Sequence, residues 1–132
     1  MVFFSLGAIK RNNDWQNPIT LYSNILEYSP ETARVHNNLA MEYFDQGMVN
    51  DAVAHYKLSI SMSDLYPQSH YNLGNAYVSL GLIDEAVEEY KKAVEMDDNF
   101  VQPHKQLAAI YYSKEMYDEY QEEMKKVNEI LR

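Results

Sequence analysis

Three histidines stand at one spacing. His36, His70 and His104 lie 34 residues apart. Imidazoles at a fixed interval suggest metal ligation first. Ligands of one zinc must each lie about 2 Å from the ion. Residues repeated once per helix pair would instead stand about 10 Å apart, since packed helices are separated by 8–10 Å. The spacing therefore predicts no shared metal, and each ring is expected to wedge between neighbouring helices. The fourth histidine, His55, reads as a lone residue on a polar helix face.

Carboxylates are the other chemical candidates. Glu85, Glu88, Glu89, Glu95, Asp97 and Asp98 are interleaved with Lys91 and Lys92. Glu119, Glu122 and Glu123 alternate in the same way with Lys125 and Lys126. Such alternation marks a solvated outer helix face rather than a paired acid and base. No phosphate-cradling glycine loop, nucleophile elbow, CxxC or HExxH is found. The expectation is a protein that is not an enzyme and takes no cofactor and no metal.

The elements that must carry these residues follow from a repeat. At an offset of 34 residues the chain aligns with itself without gaps: His36-Asn37-Asn38-Leu39-Ala40 over His70-Tyr71-Asn72-Leu73-Gly74 over His104-Lys105-Gln106-Leu107-Ala108. Tyr43, Tyr77 and Tyr111 coincide, as do Ala52 and Ala86, and then Tyr56, Tyr90 and Met124. Three units result, 33–66, 67–100 and 101–132, preceded by a partial unit, 1–32; together they make one domain. In the central unit Leu73, Gly74 and Tyr77 fall on one helical face, and Ala86, Val87, Tyr90, Ala93 and Val94 fall on another. Small residues at Gly74 and Ala86 allow the two helices to approach closely. Gly81 breaks the helix between them, with Asp84 as the expected N-cap of the second helix. Asp97-Asp98-Asn99 ends that helix. Asn17-Pro18 reads as a cap followed by proline at the first helical position, and this earlier helix stops before Pro30.

The central unit, His70-x2-Leu73-Gly74-x2-Tyr77 followed by Ala86-x3-Tyr90, resembles the tetratricopeptide repeat family, whose pattern is W-x2-L-G-x2-Y, A-x3-F and P in 34 residues. The likeness covers nearly the whole chain. Asp98 stands where proline is usual, and Pro30 keeps that place before the first full unit. The resemblance implies an all-α, right-handed α-solenoid of antiparallel helix pairs, with seven helices, or eight if the N-terminus forms one. The histidines then fill the family's tryptophan position.

The resemblance also implies a concave groove lined by the first helix of each repeat. By register its residues are Arg34, Asn37, Asn38, Met41 and Phe44, then Gln68, Tyr71, Asn72 and Asn75, then Lys105, Gln106 and Tyr112. Asp45, Val78, Ser79, Gln102, Ala109 and Ser113 border it. Asn38, Asn72 and Gln106 form a ladder of amides, which both donate and accept and so can grip an extended main chain. A similar ladder belongs to the repeat tract of O-GlcNAc transferase-like proteins; the competing reading is a local hydrogen-bonding role. Phe44, Tyr71 and Tyr112 are candidate aromatic anchors, or else packing residues between helices. The carboxylate clamp of chaperone-binding relatives needs several converging basic residues, and only Arg34 and Lys105 are basic here. The implied function is a non-catalytic module that binds a protein or peptide segment.

Composition sets the remaining bounds. The chain of 132 residues carries a net charge of -9, so phosphate backbones and anionic lipid surfaces are poor partners. Cysteine is absent, so neither disulfides nor thiol chemistry are available. Residues 1–9 are apolar but lack a basic leader and a small-residue cleavage site, so no signal peptide is expected. They form a helix through Phe3-x2-Leu6-Gly7, a frayed tail, or the remnant of a membrane helix. The run Arg11-Asn12-Asn13-Asp14-Trp15 looks like the junction in membrane glycosyltransferase-like proteins with a repeat tail. The rival readings are accordingly a tail of such a protein, outside the cytoplasm, or a scaffold that self-associates through its N-terminus; the primary expectation is cytoplasmic. Gln121 and Asn128 replace the apolar Val87 and Val94 of the central unit, as a terminal solvent-facing helix requires. Tyr120 replaces Ala86, which predicts a splayed last hairpin.

Overall fold

The structure is a computed structural model that describes residues 16–132. The expectations for a helix within residues 1–11 and for the junction run ending at Trp15 lie outside the described residues. Seven helices and no strands are present among the described residues. They are α1 (Pro18–Tyr28), α2 (Ala33–Asp45), α3 (Val49–Met62), α4 (Pro67–Ser79), α5 (Ile83–Met96), α6 (Val101–Ser113) and α7 (Tyr117–Ile130). The chain divides into two compact units, residues 1–62 and 63–132.

In the first unit α1 starts as the sequence dictates. Asn17 Oδ1 accepts hydrogen bonds from the amides of Ile19, at 3.1 Å, and Thr20, at 3.4 Å. Pro18 takes the first helical position, where a missing N–H costs nothing. Helix α1 packs on α2, and α2 packs on α3 as a hairpin. Leu39, Ala40, Ala52 and Tyr56 are buried between these last two. Ser59 is buried with them because its hydroxyl donates to the Ala33 carbonyl at 2.7 Å.

The second unit holds two hairpins, α4–α5 and α6–α7, joined by packing of α5 on α6. Gly74 explains the closeness of α4 and α5. A Cβ at this position would stand 2.6 Å from Cε1 of Tyr90, whose ring is fully buried. Ala86 and Ala93 complete that seam. In α6–α7 the buried apolar set is Leu107, Ala108, Ile110, Tyr111 and Val127, with Pro103.

The three hairpin turns share one backbone solution. The residue five after each register tyrosine returns its amide to that tyrosine's carbonyl: Met48 to Tyr43, Leu82 to Tyr77 and Met116 to Tyr111, at 2.8, 2.9 and 2.9 Å. The residue before it adopts positive φ: Gly47 at 78°, Gly81 at 75° and Glu115 at 59°. Glycine meets that demand twice; in the third turn a side chain bears it.

One cap is corrected. Helix α5 begins at Ile83 with Leu82 as its cap residue, and no side chain caps it. Asp84 lies inside the first turn and binds Lys114 Nζ at 2.6 Å. The Gly81 turn already fixes where α5 begins. Gln121 and Asn128 are exposed. Tyr120 is half-buried, its ring edge-on to Tyr112 at 5.3 Å between centroids. No helix among the described residues is long and apolar enough to cross a membrane.

Candidate functional site

Each register histidine is held by both ring nitrogens, Nδ1 by the second helix of its own hairpin and Nε2 by the connection that precedes the hairpin. The partners repeat at fixed offsets, nineteen residues after the histidine and six before. His70 Nδ1 lies 2.5 Å from Glu89 Oε2, and its Nε2 lies 2.7 Å from Asp64 Oδ1. His104 Nδ1 lies 2.6 Å from Glu123 Oε2, and its Nε2 lies 3.1 Å from the Asp98 carbonyl. His36 Nδ1 lies 2.9 Å from Nδ1 of His55, and its Nε2 lies 3.0 Å from the Pro30 carbonyl. All three rings are buried. Among the described residues no three metal-ligating side chains gather.

These contacts correct three readings of the sequence. His55 is not a lone residue on a polar face: it stacks on His36 and Tyr43, with centroids 5.2 and 5.4 Å apart. Glu89 is buried and Glu123 half-buried, so neither belongs to the solvated outer face. A carboxylate leaves water at this depth only when paired. The signal that reveals the pairing is the recurring nineteen-residue offset, which no single helix displays.

Charge follows the contacts. The hydrogen bond to Glu89 raises His70 above the ordinary histidine range; burial opposes this, and Asp64 adds to it. Burial alone would push Glu89 up, but the bonds from His70 and Lys92 outweigh it and leave the carboxyl below its usual range. Lys92 Nζ donates to Glu89 Oε1 at 2.8 Å. The two carboxylates that flank His70 favour its imidazolium form, and Glu89 links α4 to the next turn of α5. At α7, Lys126 donates to Asp98 Oδ2 at 2.8 Å, and this bond draws the Asp98 carboxyl down.

The expected groove residues lie as follows. On α2, Arg34 and Met41 are exposed, while Asn37, Asn38 and Phe44 are half-buried. Asn37 Nδ2 points at Met41 Sδ, 3.7 Å away. On α4, exposed Gln68 donates to Asn72 Oδ1 at 2.9 Å, and Tyr90 OH donates to Asn75 Oδ1 at 2.7 Å. Asn72 Nδ2 is buried with no partner. Tyr71 packs against Tyr90 and Phe100, at 5.9 and 5.3 Å between centroids. On α6, Gln106 is half-buried and Lys105 exposed. Tyr112 is 60% exposed. Lys105 and Tyr112 line an open depression of about 370 Å³ with Ala108, Ala109, Tyr120 and Met124. The structure thus pairs Gln68 with Asn72 and sets Lys105 and Tyr112 along one depression. It ties Asn75 and Tyr71 to Tyr90.

Comparisons with known proteins agree with this architecture. The family model described as TPR repeat matches residues 40–81 and 74–114. The human Protein O-mannosyl-transferase TMTC1 is 33% identical over 68 residues, which are 52% of this chain and 7% of that protein. A Protein O-mannosyl-transferase of Caenorhabditis elegans is 32% identical over 59 residues, 45% of this chain and 9% of that protein. The chain therefore matches less than a tenth of the length of these relatives. Among solved structures, a MamA protein superposes with a TM-score of 0.80 at 22% identity, covering 98% of this chain and 71% of that one. MamA from Desulfovibrio magneticus RS-1 gives 0.73 at 17%, covering 94% and 68%. At these identities the likeness shows the fold, an α-solenoid class built from helical hairpins.

Proposed function

The chain belongs to the tetratricopeptide repeat family, and from that membership we propose that it binds an extended segment of another protein and catalyses nothing. The observation that carries this reading is on α4. Gln68 occupies Asn72 Oδ1 and Tyr90 occupies Asn75 Oδ1, while Asn72 Nδ2 has no partner. The amides of Asn72 and Asn75 thus have their oxygens engaged within the protein and only N–H donors left to offer, and the Asn72 donor, buried in the unbound protein, must turn outward to meet a ligand. Their complement is a main-chain carbonyl, which every peptide offers whatever its sequence. An orphaned buried donor costs about 1–3 kcal/mol, and a ligand that satisfies it recovers that cost. Exposed Tyr112 beside Lys105 is suited to anchor a neighbouring side chain.

Asn72→Ala tests the reading. Displayed libraries of unstructured peptides are panned on the whole chain and on the variant, and affinities of the enriched peptides are compared. The expected result is at least a tenfold loss with Asn72→Ala at unchanged helicity. Equal affinity for wild type and variant sinks the proposal. Asn38→Ala, in the first unit, tests whether the corresponding amide of α2 contributes.

A second reading has its own support. The curated relatives are Protein O-mannosyl-transferases that share only a short segment with this chain. In this reading the repeats serve as the binding part of a larger membrane-bound glycosyltransferase-like protein. A natural reading frame without a transferase region would refute it.

A further inference from the structure

The position that holds Glu89 and Glu123 holds His55 in the first unit, and this exchange alters how that hairpin handles protons. The Pro30 carbonyl can only accept, so His36 Nε2 carries hydrogen. In a neutral pair His55 Nδ1–H donates to His36 Nδ1 across 2.9 Å. One added proton is accommodated by reversal. His36 then carries hydrogen on both nitrogens and donates from Nδ1, while His55 shifts to the tautomer with its single hydrogen on Nε2 and accepts at Nδ1. A second proton puts N–H on both facing atoms. No acceptor remains between them, and two cations stand with ring centroids 5.2 Å apart.

The surrounding groups offer little relief. Among the described residues, the Tyr43 ring of α2 lies against His55, and the connection from α1 supplies the Pro30 carbonyl to His36. On α3, Asp51 is the carboxylate that favours the charged form of His55. It does not prevail: burial, and then the charge of His36, hold His55 below the ordinary histidine range. In the second unit His70 meets two carboxylates instead, so protonation there completes the contact.

We infer that α2–α3 is an acid-opened latch: uptake of a second proton by the His36–His55 pair releases α3 from α2, whereas α4–α5 stays closed.

Hydrogen exchange on the whole chain tests this, with protection factors corrected for intrinsic rates. Between about pH 7.5 and about pH 5, amides of Val49–Met62 are expected to lose about tenfold or more of their protection, while those of Ile83–Met96 keep theirs. His55→Glu installs the residue type found at 89 and 123 and should abolish the acid loss. His55→Gln, which cannot titrate, should do the same and covers the case in which the glutamate variant folds poorly. Unchanged protection of α3 in acid overturns the inference. So does an equal loss in α3 and α5, or an acid loss that survives in both variants.

Discussion

Glu89 Oε2 lies 2.5 Å from His70 Nδ1, so a buried carboxylate on one helix favours the charged form of a buried imidazole on its neighbour. The pair fixes a pH window for its hairpin. His70 is raised above the ordinary value of 6.5, so its contribution is complete below that pH and fades as pH climbs through the raised native value. Glu89 is lowered from 4.5, so its contribution is complete above that pH and is lost as pH falls through the depressed native value. The α4–α5 hairpin is expected to be most stable between these limits. Glu89→Gln should cost about 2 kcal/mol near pH 6 and flatten the alkaline decline. Urea titrations across pH, with a probe in the second unit, measure both.

Glu115→Gly should stabilise the last hairpin. Glu115 holds φ at 59°, whereas Gly47 and Gly81 occupy the same place in the other turns. A left-handed residue with a Cβ costs about 1–2 kcal/mol, part of which returns as glycine's greater freedom in the unfolded chain. The expected net gain is about 0.5–1 kcal/mol by denaturant unfolding. A loss of stability would refute the assignment of strain to this turn.

Gly74→Ala should destabilise, although alanine is the better helix former by about 1 kcal/mol. The added methyl would meet the Tyr90 ring at 2.6 Å, and that ring is buried and tied through its hydroxyl to Asn75. Overpacking of a fixed ring outweighs propensity, for a net loss of about 1–2 kcal/mol. Thermal unfolding of the variant checks the sign.

Tyr90→Phe isolates the Tyr90–Asn75 hydrogen bond. Removing the hydroxyl frees Asn75 Oδ1, which is half-exposed and can turn to water. The expected cost is about 1 kcal/mol, with helicity unchanged. A cost near zero would mean that the bond positions Asn75 without holding the hairpin together.

Most of the fold is legible in the sequence because it depends on local rules. The Asn17-Pro18 start of α1, the Gly81 turn and the stripe Ala86, Tyr90 and Ala93 are each set by neighbours within a turn or two. The histidine partners are not local. Glu89 sits three residues after Ala86 and four before Ala93, so helical phase alone places it on the buried stripe. Its charge and its acidic neighbours point the other way. The conflict resolves only with His70, nineteen residues earlier and on another helix. Asp84 fails for the opposite reason, since the preceding turn had already fixed the helix start, leaving no cap for it to make. The groove residues sit between these cases: register assigns Asn72 and Asn75 to α4, but only the folded structure shows that both oxygens are already engaged.

The three turns between paired helices are each three residues long, so every second helix begins sixteen residues after the first. That constancy acts as a phase setting. One residue inserted between Ser79 and Ile83 would rotate α5 by about 100° about its axis. It would swing Glu89 away from His70 and carry Tyr90 off Gly74 in the same movement. Surface connections usually absorb changes of length freely. Here the turn serves as the clock of the repeat, and a slip of one position would cost the hairpin its ion pair and its seam together.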